Sequence, residues 1–173
     1  AANRVYLNSG AEQSMSVAAP EFLRTWDWAG RWGMVALRPG ELPAEAQAAR
    51  YINAVLSFEA VAGIQAAVPA WEAASLRWPQ ESLPYLALGN HAHSGDNLQG
   101  AADYYRRGLQ FNPQHSALSN NLASVLGELG CPRTGEALLR PVADRQASDS
   151  PWAPAMAATL ADLVAQVGLD PAS

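Results

Sequence analysis

The landmarks of residues 100–113, GAADYYRRGLQFNP, have upstream counterparts at one constant offset: Ala101, Tyr105, Gly108 and Pro113 answer to Ala67, Trp71, Ala74 and Pro79. The stretch ahead of them repeats at the same distance, with Tyr85, Leu88, Gly89 and Ala92 answering to Tyr51, Ala54, Val55 and Phe58. No other feature constrains the fold as much. A period of about 34 residues belongs to units of two helices, each of which buries its apolar face only against its neighbours. The spacing has a physical reason. Small residues on one helix let a neighbouring backbone come close, and the aromatic four residues away fills the space between the helices.

The pattern from Leu83 to Pro113 fits a tetratricopeptide repeat, a helical hairpin closed by a proline. A third copy opens in phase with Leu122, Ala123, Leu126 and Gly130. Its second half, CPRTGEALLRPVAD, is read as irregular, with roughly two extra residues before Ala137 and with Pro141 near the aromatic position as a kink. Pro69 is expected in the first turn of its helix, where a proline is tolerated. After SDSPW, the residues Met156, Leu160, Leu163, Val164 and Val167 share one face of a last helix that stops at Gly168, as a solvating cap would.

The front of the chain is different. RVYLNSG reads as a strand ending in a turn, EQSMSV as a second strand, APEFLRTWDWAG as a helix opened by Pro20, and RWGMVALRPGELP as a third strand. The expected fold class is therefore mainly α: a helical-repeat solenoid of two clear repeats, one degenerate repeat and a capping helix, preceded by a small α+β segment of two or three strands and one helix. The expected domains are residues 1–42, 43–147 for the repeats and 148–173 for the cap.

Composition narrows the function. The net charge is −5, all eleven cations are arginine, and they are scattered, so no basic stripe faces a phosphate backbone and nucleic acid is not an expected partner. No apolar run approaches the roughly 18 residues of a membrane span, and no targeting signal is visible at the N-terminus. The one cysteine, Cys131, excludes an internal disulfide.

The order VYLNSG, EFLRTW, GRWGMVALRPGELPA leading into tetratricopeptide repeats resembles bacterial cysteine peptidases of the bacteriocin-processing, papain-like type that carry C-terminal repeats of this kind. The resemblance spans nearly the whole chain. It implies that residues 1–42 are the tail of a peptidase domain, that the family's catalytic cysteine and histidine lie outside this chain, and that the protein belongs to the bacterial envelope or periplasm. The family's acidic third member stands at the end of the strand that RVYLNSG resembles. Ser9 occupies that place here with Asn8 beside it, and an asparagine can orient a histidine in a Cys, His, Asn arrangement.

No catalytic set is expected within the chain itself. Cys131 and His115 fall at opposite ends of one expected helix. His91 and His93, two residues apart on a helix, point to opposite sides and suit a metal poorly, so neither a metal nor another cofactor is expected. Trp26, Trp28 and Trp32 are read as packing residues, as are Tyr51, Phe58, Trp71, Tyr85, Tyr104 and Tyr105.

In tetratricopeptide proteins the first helices line an inner groove. The match places Asn53, Leu56, Asn90, His93, Asn120, Asn121 and Ser124 along it, either as solvated polar positions or as amides that grip a peptide backbone by donating and accepting. Family members that hold a terminal carboxylate use Lys and Arg there, and the matching positions here are neutral. The expected role is a noncatalytic scaffold that binds a protein or peptide through neutral backbone contacts, with a strand-exchanged homodimer as a further possibility.

Overall fold

The computed structural model describes residues 3–9, 12–28, 30, 36–147 and 149–169. The chain divides into two compact units, Ala1–Ala36 and Leu37–Ser173.

In the first unit, strands β1 (Arg4–Ser9) and β2 (Glu12–Ala18) pair antiparallel, with Val5 opposite Val17 and Leu7 opposite Met15. Register slips between Leu7 and Ser9, so Asn8 sits at a bulge. The Arg4 guanidinium ties the pair by donating to the Ser16 hydroxyl and, at 2.8 Å, to the Ser16 carbonyl. Helix α1 (Ala19–Trp28) follows directly, with Pro20 in its first turn, where a missing N–H costs little. Phe22 and Trp26 stack at 5.7 Å, but α1 has no fully buried residue. Trp28, read as packing, is instead 89% exposed. Of the expected third strand, residues 31–35 lie outside the described residues, as does Trp32, and residues 36–38 join no strand.

The second unit is all helical among the described residues. Helices α2 (Ala48–Ala62), α4 (Ser82–Ser94) and α6 (Ser116–Glu128) start at the same constant spacing that the sequence landmarks show. So do α3 (Ile64–Arg77), α5 (Leu98–Phe111) and α7 (Pro132–Ala143). Each of the first three packs on the helix that follows it, and α8 (Ala153–Leu169) packs on α6 and α7. The turns repeat too: Asp96 and Gly130, one period apart, take positive φ values of 58° and 75°. Pro79 and Pro113 stand two residues beyond α3 and α5, where a helix cannot continue.

Three apolar clusters fill the unit. The first is built on Trp71 with Ile52, Val55, Ala67, Ala74 and Leu88. Tyr85, Tyr105, Leu118 and Leu122 anchor the second, and Leu139, Met156 and Leu163 the third.

Several expectations change here. The third hairpin carries no extra residues: Gly135, not Ala137, takes the small position, Leu139 the aromatic place and Val142 the second small place, all buried. Gly135 is needed because a Cβ there would meet the Ala123 carbonyl oxygen at 2.7 Å. Pro141 lies in the last turn of α7, which runs on past it to Ala143. Pro69 is not in a first turn, since α3 begins more than a turn earlier, directly after Gly63. The preceding loop covers it: Gly40, at φ +95°, lies so close that a Cβ would meet the Pro69 carbonyl oxygen at 3.3 Å. On the cap, Met156 and Leu163 are buried, but Val164 turns to solvent at 47% exposure and α8 continues one residue past Gly168. Phe58, read as core, is 36% exposed, because α2 has no helix ahead of it within this unit.

His115 caps α6, its Nδ1 accepting the Leu118 N–H at 3.3 Å. Burial pushes the imidazole below its ordinary value, which keeps the accepting nitrogen unprotonated. A depressed histidine contributes stability that is present above about pH 6.5 and lost as pH falls. Denaturant melts at pH 7.5 and 5.0 are expected to show an acid loss in the natural chain. That loss should shrink in His115→Asn, which caps without titrating.

Candidate functional site

Side chains from α4, α5 and α6 meet in one polar cluster. Asn90 on α4 accepts two hydrogen bonds at Oδ1, from the Tyr105 hydroxyl at 2.8 Å and from Asn121 Nδ2 at 3.0 Å. One turn along α4, His93 Nε2 lies 2.9 and 3.0 Å from the two carboxylate oxygens of Glu128 on α6. Burial pushes the Tyr105 hydroxyl above its ordinary value, the Asn121 amide opposes this and the Glu128 charge reinforces it.

The repeat register explains the partners. Asn121 lies 31 positions after Asn90 and Glu128 35 after His93, a turn short of one period and a position beyond it on the next first helix. The two bridges therefore tie the last two turns of α4 to α6. Tyr105 rises from beneath, its ring buried against Gly89, where a Cβ would collide with the ring.

Of the residues singled out from sequence, Asn90, His93 and Asn121 come together. Asn90 is not an open amide, however, since its oxygen is already committed to two donors and its Nδ2 is the group left to face solvent. Asn120 is half-buried, with an Oδ1 that finds no hydrogen-bond partner. Ser124 is half-buried on α6, while Asn53 and Leu56 are exposed on α2, outside the cluster. Asn8 and Ser9 lie on β1 at and beside the bulge, with side chains outside the described set.

Two members were missed. Tyr105 reads as packing because its ring occupies the aromatic position, and only the choice of tyrosine over phenylalanine signals a buried polar tip. Glu128 sits at the end of α6, and its distance of nearly one period from His93 was the available clue.

The remaining candidates separate. His91 turns away from His93, as their spacing requires. Cys131 is exposed at the N-terminus of α7, and His115 is engaged in capping. Among the described residues no group of three or more His, Cys, Asp or Glu side chains is placed to hold a metal, and no helix is long and apolar enough to cross a membrane. No family model and no curated protein matches the chain.

Proposed function

We propose that the helical unit is a tetratricopeptide-type array that binds an extended peptide segment of a partner protein along its first helices, α2, α4 and α6. The observation that carries this reading is the recurrence of both helix starts at one fixed period across three hairpins. In-register stacking aligns first helices side by side, which creates a continuous surface long enough for a peptide. Asn53, Asn90, His93, Asn120, Asn121 and Ser124 are the residues placed on it.

The cluster sets the chemistry. Asn90 Nδ2 and the free oxygen of Asn121 offer one donor and one acceptor, the pair that a peptide backbone presents in reverse. The His93 ring is held by the Glu128 carboxylate and is not offered to a ligand's carboxylate. The ligand is an internal, uncharged peptide stretch. In this reading the chain is noncatalytic.

The test begins with peptides selected from a displayed random library on the immobilised full chain, followed by titration of the best one. Asn90→Ala with Asn121→Ala is expected to weaken binding about tenfold, the loss of one to two hydrogen bonds. Phe111→Ala, on α5 and exposed, should leave it unchanged. Failure to enrich any peptide, or full affinity in the double variant, removes the groove.

The rival reading makes the chain part of a cysteine peptidase whose catalytic cysteine and histidine lie outside it. Its support is the strand, strand, helix order ahead of the paired helices, with Ser9 at the strand position of a third member and Asn8 beside it. A cysteine followed by a histidine in coding sequence upstream of RVYLNSG would favour it, and their absence there would end it.

A further inference from the structure

The junction between the first and second hairpins departs from its own repeat. A cleft of about 380 Å³ opens there between α3, α4 and α5. Its floor is Val68, Leu88 and Ala92, one wall is the Tyr104 ring, and its rim carries Gln65, His91 and Asn97.

The neighbouring hairpin shows what is missing. One period on from Ala92 and Gly95 stand Leu126 and Leu129, which pack into the second apolar cluster and close the corresponding junction. The rim changes in the same sense, since His91 matches Val125 and Asn97 matches Cys131. Looking backwards, α2 also carries large apolar residues at these places, Phe58 and Val61. The middle hairpin alone has both positions truncated.

Backbone geometry does not demand the glycine. Gly95 ends α4 at φ −97°, ψ 18°, close to Leu129 at φ −78°, ψ 4° in the same role. A Cβ at Gly95 would meet only the Ala92 and His91 carbonyl oxygens at 3.6 Å, an ordinary contact. The opening therefore follows from side-chain choice, at the cost of apolar contacts that the next hairpin keeps.

From this juxtaposition we infer that the cleft is a receptor for one aromatic side chain with a hydrogen-bonding tip, a tyrosine presented by a partner peptide. The space left by two leucines suits a ring. Val68, Leu88 and the Tyr104 ring give it an apolar slot with an aromatic wall for offset or edge-on packing. The His91 and Gln65 side chains make no hydrogen bond among the described residues and stand at the mouth, where a phenol would reach them. No acidic or arginine side chain lines the cleft, so a charged occupant would lose water without gaining a counterion. This site is separate from the polar cluster on α4 and α6 and stands or falls without it.

The experiment titrates the ¹⁵N-labelled full chain with N-acetyl-tyrosinamide, N-acetyl-phenylalaninamide and N-acetyl-leucinamide, following the Gly95 and Asn97 amides. Saturable shifts are expected with the tyrosine probe, several-fold weaker binding with phenylalanine and none with leucine. Ala92→Leu with Gly95→Leu restores the residues of the third hairpin and should abolish the shifts in a chain that still folds. His91→Val keeps the space and should erase the preference for tyrosine over phenylalanine, which serves as the deciding readout if the filled variant fails to fold. Absence of saturable shifts in the natural chain, leucine binding as well as tyrosine, or an undiminished tyrosine preference in His91→Val would overturn the assignment.

Discussion

Trp71→Ala is expected to cost the helical unit about 3–5 kcal/mol, the largest loss of any single truncation in the chain. Trp71 is fully buried at the centre of the first apolar cluster, touching residues of both α2 and α3 and Leu88 of the next hairpin. Its indole N–H donates to the Glu59 carboxylate on α2, so truncation removes ring contacts and leaves a half-buried carboxylate without its donor. Part of the lining cannot follow into the space, because Ala67, Ala70 and Ala74 belong to α3 itself and their methyl groups do not reach it. Guanidinium melts of the full chain followed by helical circular dichroism give the measurement. Trp71→Phe, which keeps most of the apolar area and loses the hydrogen bond, should fall well short of the alanine loss. A cost below about 1 kcal/mol for Trp71→Ala would mean that the first hairpin is not held by this cluster.

Gly89→Ala is the second. Alanine normally favours a helix interior by about 1 kcal/mol over glycine, yet here a net destabilisation of about 1–3 kcal/mol is expected. A Cβ at position 89 would overlap one edge of the Tyr105 ring, with Cε1 and Cδ1 closest and Cζ at 2.8 Å. The ring cannot swing aside freely, since it is almost fully buried and its hydroxyl is held by Asn90. The third hairpin places Ala123 and Leu139 at the corresponding positions, both buried. The first solves the same junction with Val55 and an indole tethered to Glu59. Gly89→Ala with Tyr105→Leu should therefore recover part of the loss, and the double-mutant cycle should give a favourable coupling. Additive losses would show that ring and glycine do not share one constraint.

The two predictions differ in how visible they were. Trp71 and Gly89 stand at the aromatic and small places of the period, so their importance was readable in the sequence. The reason Gly89 must be glycine was not, because it depends on how deeply the Tyr105 ring lies between α4 and α5. The apparent irregularity of the third hairpin shows the same limit from the other side. Ala137 carries the residue type of the small position, whereas the position belongs to Gly135, which the Ala123 backbone approaches too closely for any side chain. Residue type misled there, and counting by the period did not.

The front unit was legible in its order of β1, β2 and α1, since alternation and a proline-opened helix are local signals. The tryptophans were not, because burial depends on what lies opposite. Trp28 projects into solvent, while Trp26 stacks on Phe22 of its own helix.

At the candidate site, the sequence placed Asn90, His93 and Asn121 on first helices. It could not say that the Asn90 oxygen is spent on Tyr105 and Asn121, or that the Glu128 carboxylate meets His93. By itself, then, the sequence determined the period, the helix order and the pairing of small with aromatic positions. These follow from the helical repeat and from side-chain size, both of which are local properties. Only the tertiary structure decided which amide faces solvent and which histidine meets a carboxylate. Those outcomes depend on small shifts in register between neighbouring helices, and such shifts are set by packing across the interface, not by any one helix.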